Sequence, residues 1–321
     1  LTLVTAEELL QAGVHFGHRV SRWNPKMKKY IFGKRNLIHI INLRETIRGI
    51  IRAANFLTQL ASEGGTVLFA GTKRQARNLV VSEAKRCGMP YVHERWLGGT
   101  LTNFNTIISR IARLEELENM EFDGSFDLYS KKEIASFNRQ RRRMHRNLDG
   151  IRTLKSHPAC IIIVDPKREH IALREAARLE IPSIAIIDTD CDPNMVDIPI
   201  PGNDDAFRSI KTLLSKLTDA ILAGQAIRKE RQAVEEKRKA EEKLKRKDDA
   251  KRLKAAHEAK LRVETERKKK EAAKKAADKA AADKEKKPEE SPKADAPPGQ
   301  PAENTVAENV VDPKGGAADG D

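Results

Sequence analysis

Apolar positions along the 321-residue chain follow two patterns. Short continuous runs stand at residues 66–72 (TVLFAGT), 159–165 (ACIIIVD) and 183–188 (SIAIID). Between them, apolar residues recur every three or four positions. Unbroken runs belong to strands buried on both faces, and three-four spacing belongs to amphipathic helices. TAEELL predicts a short helix opened by a capping box of Thr5 and Glu8 and closed at Gly13. LIHIIN (37–42) predicts a strand. A helix over 43–62 follows, with Ile47, Ile50, Ile51, Ala54 and Leu57 on one face. Further helices are predicted over 73–86, 169–179 and 205–223. Strands alternating with helices in this way predict an α/β fold, a parallel sheet flanked by helices on both faces.

One segment interrupts the alternation. Residues 105–118 place Ile107, Ile108, Ile111, Leu114 and Leu117 on one helical face. A loop with DGSFD follows, then a helix over 131–149. There Ile134, Phe137, Met144, Leu148 and Ile151 keep the three-four spacing, with Arg141 in the polar slot of the seam. The two helices predict an inserted antiparallel helical hairpin. Past residue 225 the periodicity fades. Ile227, Val234, Leu244, Leu253, Leu261 and Val263 are separated by 7, 10, 9, 8 and 2 residues, too irregular for a heptad seam. The expected organisation is a sheet domain (1–104 with 151–225), a helical hairpin (105–150), a charged solvated helix (226–287) and a disordered acidic Pro/Gly-rich tail (288–321).

Charge narrows the class of partner. Lys and Arg number 61 against 47 Asp and Glu, a net charge of +14, and the first hundred residues hold 16 basic against 6 acidic side chains. A folded domain this basic at one end expects an anionic partner, nucleic acid first. The tail is split, with 25 basic and 14 acidic residues over 226–287 and 2 against 8 thereafter. Its basic part suits either RNA or plain solvent. Cys87, Cys160 and Cys191 have no CxxC spacing and fit buried thiols of a reducing compartment. No run reaches the ~18 apolar residues of a membrane helix. With a capped helix at the very start, neither a leader nor a transit segment is expected, and the compartment reads as cytosol-like.

Several stretches invite catalytic readings. FAGTKRQA (69–76) sets Gly-Thr-Lys between a strand and a helix, but it lacks the second glycine of a phosphate loop, and Arg74 follows the lysine. Such a turn still suits an isolated phosphate. DTDCDP (188–193) fails as a calcium loop, because Pro193 and Pro199 occupy the glycine and glutamate positions. As a phosphotransfer site it has Asp192 where Thr or Val belongs. An acidic turn at the sheet's carboxyl edge is expected, with a divalent ion at 188–192 left open. His15, His18, His39 and His93 have no catalytic partner nearby in sequence, and no nucleophile elbow is present. Arg139, Arg142, Arg143 and Arg146 share a helical face that suits solvent or phosphate equally. No catalytic residue, cofactor or metal ligand is expected.

AGVHFGHR, WNPKMKKYIFGKRNLIHIINL, FAGTKRQA, RWLGGTLTNF, IDTDCDP and PIPGNDDAFRSI occur in this order. Together, over residues 5–224, they resemble the bacterial small-subunit ribosomal protein two family. The resemblance implies a flavodoxin-like parallel sheet with an inserted helical hairpin. It implies a structural constituent of the small ribosomal subunit in the cytoplasm, bound to small-subunit rRNA at the junction of head and body. Neighbouring small-subunit proteins would be its partners, including ribosomal protein one, which it helps recruit. No catalysis or small-molecule substrate is implied; a nucleotide-dependent enzyme on the same fold is the alternative.

Within that frame HERWLGGTLTN (93–103) reads as an RNA grip. Arg95 and Trp96 would contact phosphate or ribose, or stack. Gly98 and Gly99 would let the backbone approach RNA, or serve only a tight turn. Thr100, Thr102 and Asn103 offer polar groups, with Thr102 or Asn103 capping the next helix. The N-terminal basic and aromatic residues His15, His18, Arg19, Trp23, Lys26, Lys28, Lys29 and Arg35 would serve similarly, as would Lys73 and Arg74.

Overall fold

The computed structural model describes residues 4–282. Thr5 caps α1 (Ala6–Gln11), accepting the Glu8 amide at 3.2 Å. Residues 16–41, where sequence pattern showed a single strand, fold into a three-stranded antiparallel sheet of β1 (Phe16–Arg19), β2 (Ile31–Arg35) and β3 (Ile38–Ile41), in the order β1-β3-β2. Its β2–β3 hairpin turns through Asn36 and Leu37, both at positive φ. A two-residue turn of this kind usually carries glycine, so Asn-Leu gave no hairpin signal.

α2 (Leu43–Glu63) is capped by Asn42, whose side chain accepts the Arg44 amide at 3.1 Å. Its buried stripe runs through Ile50, Ala54, Leu57 and Ala61; Ile51, expected on that face, lies off it and is exposed. β4 (Val67–Ala70) follows, then α3 (Arg77–Cys87) and β5 (Tyr91–Val92). α3 starts four residues later than expected, because residues 73–76 form a turn in which the Ala76 amide donates to the Lys73 carbonyl at 2.9 Å. α4 (Phe104–Phe122) and α5 (Lys131–Leu148) make the helical hairpin. Next come β6 (Cys160–Val164), α6 (His170–Arg178), β7 (Ser183–Ile187), β8 (Ile198–Pro201) and α7 (Phe207–Ala282).

The five parallel strands lie in the order β5-β4-β6-β7-β8. This is the flavodoxin-like order, in which the chain reverses direction across the sheet between the first and third strands, here β4 and β6. β5 and β8 had no strand signal: one is two residues long, and the other reads IPIP. Proline cannot donate to a ladder, so β8 is confined to the sheet's edge. Alternate residues of the central strands enter opposite layers. Phe69, Ile162, Val164, Ile184 and Ile186 pack under α2, α3 and the first turns of α7. Leu68, Ile161, Ile163, Ala185 and Ile187 pack under α4 and α6, with Trp96 and Leu101. A Cβ at Gly49 would stand 2.7 Å from the Pro199 carbonyl oxygen, so glycine lets α2 lie directly on β8.

In the hairpin Ile107, Ile111, Leu114 and Leu117 are buried, whereas Ile108 is exposed. Arg141 is paired with Glu121, and Arg152 grips Glu118 with two bonds of 2.6 and 2.7 Å at the hairpin's base. The described chain divides between Glu242 and Lys243. In the first unit, α7 buries Ile210, Leu213, Leu214, Leu217 and Ile221. The helix predicted to end at 223 continues as α7. From Lys243 to Ala282 it carries exposed Leu253, Leu261 and Val263, with Glu264 and Lys268 paired one turn apart. The last residues of the expected charged helix, 283–287, and the acidic segment 288–321 lie outside the described residues.

Candidate nucleic-acid interface

The small antiparallel sheet gathers most of the N-terminal basic residues. Arg19 ends β1, Lys28 and Lys29 lie in the helical turn Pro25–Tyr30, and Lys34 and Arg35 end β2; all are exposed, as is Arg22. Among the described residues, no ion pair joins any of these six to a carboxylate. Phe32 (80% exposed) and Leu37 (77%) project beside them. Trp23 is partly exposed with its ring 5.2 Å from that of His39. Lys26 is exposed but paired with Asp192 at 2.6 Å. His15 is half-buried against Phe16, and burial lowers its pKa.

The 95–103 loop is built differently from the sequence expectation. Arg95, Gly98, Thr102 and Asn103 reach the surface, but Trp96 (6% exposed) and Thr100 (2%) are buried and offer no face to a partner. The reason is Glu175 of α6. Its Oε1 accepts the Trp96 indole N–H at 3.2 Å and the Gly99 amide at 2.8 Å; its Oε2 accepts the amides of Leu101 at 2.9 Å and Thr102 at 3.2 Å. Burial opposes the charge on Glu175, but these donors outweigh it and hold the carboxyl below its ordinary range. Thr100 donates its hydroxyl to the Leu97 carbonyl at 2.5 Å. Of the two glycines only Gly99, at φ +89°, is required by the backbone; a Cβ at Gly98 would meet nothing. Asn103 takes the N-cap position of α4, yet its Oδ1 accepts the Thr106 hydroxyl rather than an amide.

A second cluster fills the crevice at the carboxyl ends of β4 and β6. Lys73 reaches Asp204 at 2.7 Å, Asp205 at 2.6 Å and Asp165 at 3.7 Å. Burial disfavours its charge, but the carboxylates prevail and raise its pKa. His18 Nδ1 lies 2.9 Å from Asp188, and its Nε2 lies 3.4 Å from Asp205. The Asp188 hydrogen bond raises the His18 pKa to about 9. Asp204 is pushed up to about 7 by burial and by the charges of Asp188 and Asp165, against the pull of Lys73. Glu169 accepts the Thr72 amide at 2.9 Å and its hydroxyl at 2.5 Å. The crevice is thus rich in carboxylates, which repel phosphate. His18, Asp188 and Asp204 have ligand atoms within 4.8 Å of one another, as do Asp165, Cys191 and Asp204. Either set has the donor types a divalent cation takes. Only Asp188 and Cys191 of these belong to the DTDCDP stretch.

Arg74 is exposed beside this crevice. On α5, Arg139, Arg142, Arg143 and Arg146 are exposed, and Arg139 and Arg143 join Arg110 in lining a groove of about 540 Å³ floored by Leu97, Met144 and Leu148. Glu175, Glu169, Asp204, Asp205, Arg22 and Lys34 were missed by sequence reasoning. Arg22 and Lys34 share the basic and aromatic stretch of their named neighbours, and Glu175 falls among Ala172, Leu173 and Ala176 on the buried face of α6.

The family profile described as ribosomal protein S2 matches residues 9–224. The small ribosomal subunit protein uS2 of Rhodopirellula baltica is 55% identical over 219 residues, covering 68% of this chain and 84% of that protein. The matched span takes in both the basic sheet and the Glu175-bound loop. The chain therefore belongs to the ribosomal protein S2 family, and is with it a structural constituent of the small subunit of the cytoplasmic ribosome.

Proposed function

We propose that the chain binds small-subunit rRNA through its three-stranded sheet and the 95–103 loop, at the junction of head and body, and helps recruit ribosomal protein one to that side. The observation that carries the RNA reading is uncompensated charge. Arg19, Arg22, Lys28, Lys29, Lys34 and Arg35 crowd the sheet and its connections without a carboxylate partner among the described residues. Phe32 and Leu37 stand among them, so one hairpin offers both phosphate and base or ribose contacts. Arg95, Thr102 and Asn103 of the loop and Arg74 are exposed as well and add their own polar and basic contacts to the reading. His18, Lys26 and Lys73 are neutralised within the chain and rank below them. The place at the head–body junction and the recruitment of ribosomal protein one are supported by family membership. A nucleotide in the β4–β6 crevice is disfavoured, because its phosphates would meet Asp165, Asp204, Asp205 and Glu169.

The test compares the full chain with a K28Q/K29Q/K34Q/R35Q variant for binding to small subunits stripped of this protein, over a range of salt. Each lost phosphate contact lowers the log–log salt slope by roughly 0.7–0.9, so the variant slope should fall by about 3. An unchanged slope would overturn the RNA reading. Occupancy of ribosomal protein one on the same subunits, with and without the chain, tests recruitment; equal occupancy would refute it.

A further inference from the structure

We propose that residues 96–102 form an anion-binding nest whose resident ligand is the chain's own Glu175 carboxylate, and that Glu175 is the positioning residue presenting Arg95, Thr102 and Asn103 to RNA. The second half rests on the RNA reading above; the first half does not.

A loop rich in glycine and threonine, with a tryptophan N–H, has the donors that usually cradle a phosphate. Here the amides of Gly99, Leu101 and Thr102 and the Trp96 indole all converge on one carboxylate from α6, more than seventy residues away in sequence. Glu175 is 7% exposed, so solvent and RNA phosphates are kept from those donors. The same bonds fix the backbone on both sides of Gly98, which leaves Arg95, Gly98, Thr102 and Asn103 outermost. The loop's backbone amides are therefore spent internally, and its RNA contacts come from side chains. Removing the carboxylate leaves a polar cavity with five unsatisfied donors, the fifth being the Thr102 hydroxyl at 3.4 Å, and a small free carboxylate matches it in charge and shape.

The test is chemical rescue of full-length E175A, with wild type as control. Thermal unfolding is measured in formate and in chloride at equal ionic strength, and amide hydrogen exchange is followed at Gly99, Leu101 and Thr102. Formate should raise the Tm of E175A by about 3 °C over chloride and leave wild type unchanged. The three amides should exchange at least about tenfold faster in E175A, a loss of local protection that formate reverses. Folded E175A that responds equally to formate and chloride, or whose three amides exchange at the wild-type rate, overturns the nest. If E175A does not fold, E175Q replaces it, keeping the volume but turning one acceptor into a donor. Fast exchange confined to the loop then supports the nest, and wild-type exchange overturns it. For the positioning role, E175A should bind stripped subunits about tenfold more weakly in chloride and recover in formate; binding that ignores both refutes it. Because the anion rescue involves no RNA, failure of wild type to bind rRNA would sink the RNA reading and leave the nest standing.

Discussion

Replacing His18 by glutamine should remove a specific piece of the protein's pH dependence. The imidazole, 21% exposed, lies 2.9 Å from Asp188, which is 2% exposed, and 3.4 Å from Asp205. Asp190 and Asp204 add negative charge, and the His18 pKa is raised to about 9 from an ordinary 6.5. Because the folded value is the higher one, the folded state holds the proton more tightly than the unfolded chain. The resulting stability is fully present below pH 6.5 and is lost as the pH rises through about 9. A shift of this size is worth about 3 kcal/mol, of which about 2 kcal/mol disappears between about pH 7 and pH 9.5. Other groups overlap little or cancel. Asp204, pushed up to about 7, releases the rest of its proton near the lower pH in wild type and variant, and the buried Cys87 thiol, pushed up to about 11, weakens both alike at the alkaline end. Glutamine keeps a donor for Asp188 and carries no charge. Urea unfolding followed by fluorescence of the buried Trp96, at both pH values, gives the comparison. Wild type should lose about 2 kcal/mol more than H18Q. Parallel losses within about 0.5 kcal/mol would refute the assignment of a charged, carboxylate-held His18.

Two further outcomes follow from packing. Gly150, at the base of the helical hairpin, has no room for a methyl group: a Cβ there would collide with the Tyr91 carbonyl oxygen and lie 2.6 Å from its ring. G150A should therefore cost about 3 kcal/mol in urea unfolding, and a change below about 0.5 kcal/mol would show that the hairpin shifts freely on the sheet. Cys87, Cys160 and Cys191 are buried, and burial pushes all three thiols up. At mildly alkaline pH iodoacetamide should leave the native chain unmodified while labelling all three in urea; rapid native labelling at any of them would contradict that burial.

The local parts of the fold were readable from periodicity. The unbroken runs at Val67–Ala70, Cys160–Val164 and Ser183–Ile187 became the three central strands. The stripes in α2 and α4 marked their buried faces, with Ile51 and Ile108 the misplaced residues, whereas in α5 only Leu148 of the stripe is buried and Ile134, Phe137 and Met144 are half-buried. The outer strands were not readable. Tyr91–Val92 is too short to show a period, and Ile198–Pro201 is a strand only because β7 supplies its ladder. β1 and β2 were hidden among basic and aromatic residues whose alternation emerges only when β3 pairs with both.

For the candidate site the division is sharper. By itself the sequence determined that the N-terminal hundred residues carry an excess of positive charge and that the chain has an α/β core, because charge counts and hydrophobic spacing are properties of neighbours along the chain. Only the tertiary structure decided which of those charges are free. His18 meets Asp188 across 170 positions and Lys73 meets Asp204 across 131, and such pairing depends on where the sheet order sets each strand's carboxyl end. It also decided that Trp96 and Thr100 face inward. The amides of Gly99, Leu101 and Thr102 have no partner within their own stretch, and a buried polar group must find one. Glu175, carried by α6 after β6 in the chain, is that partner, and no spacing within residues 93–103 could have announced it.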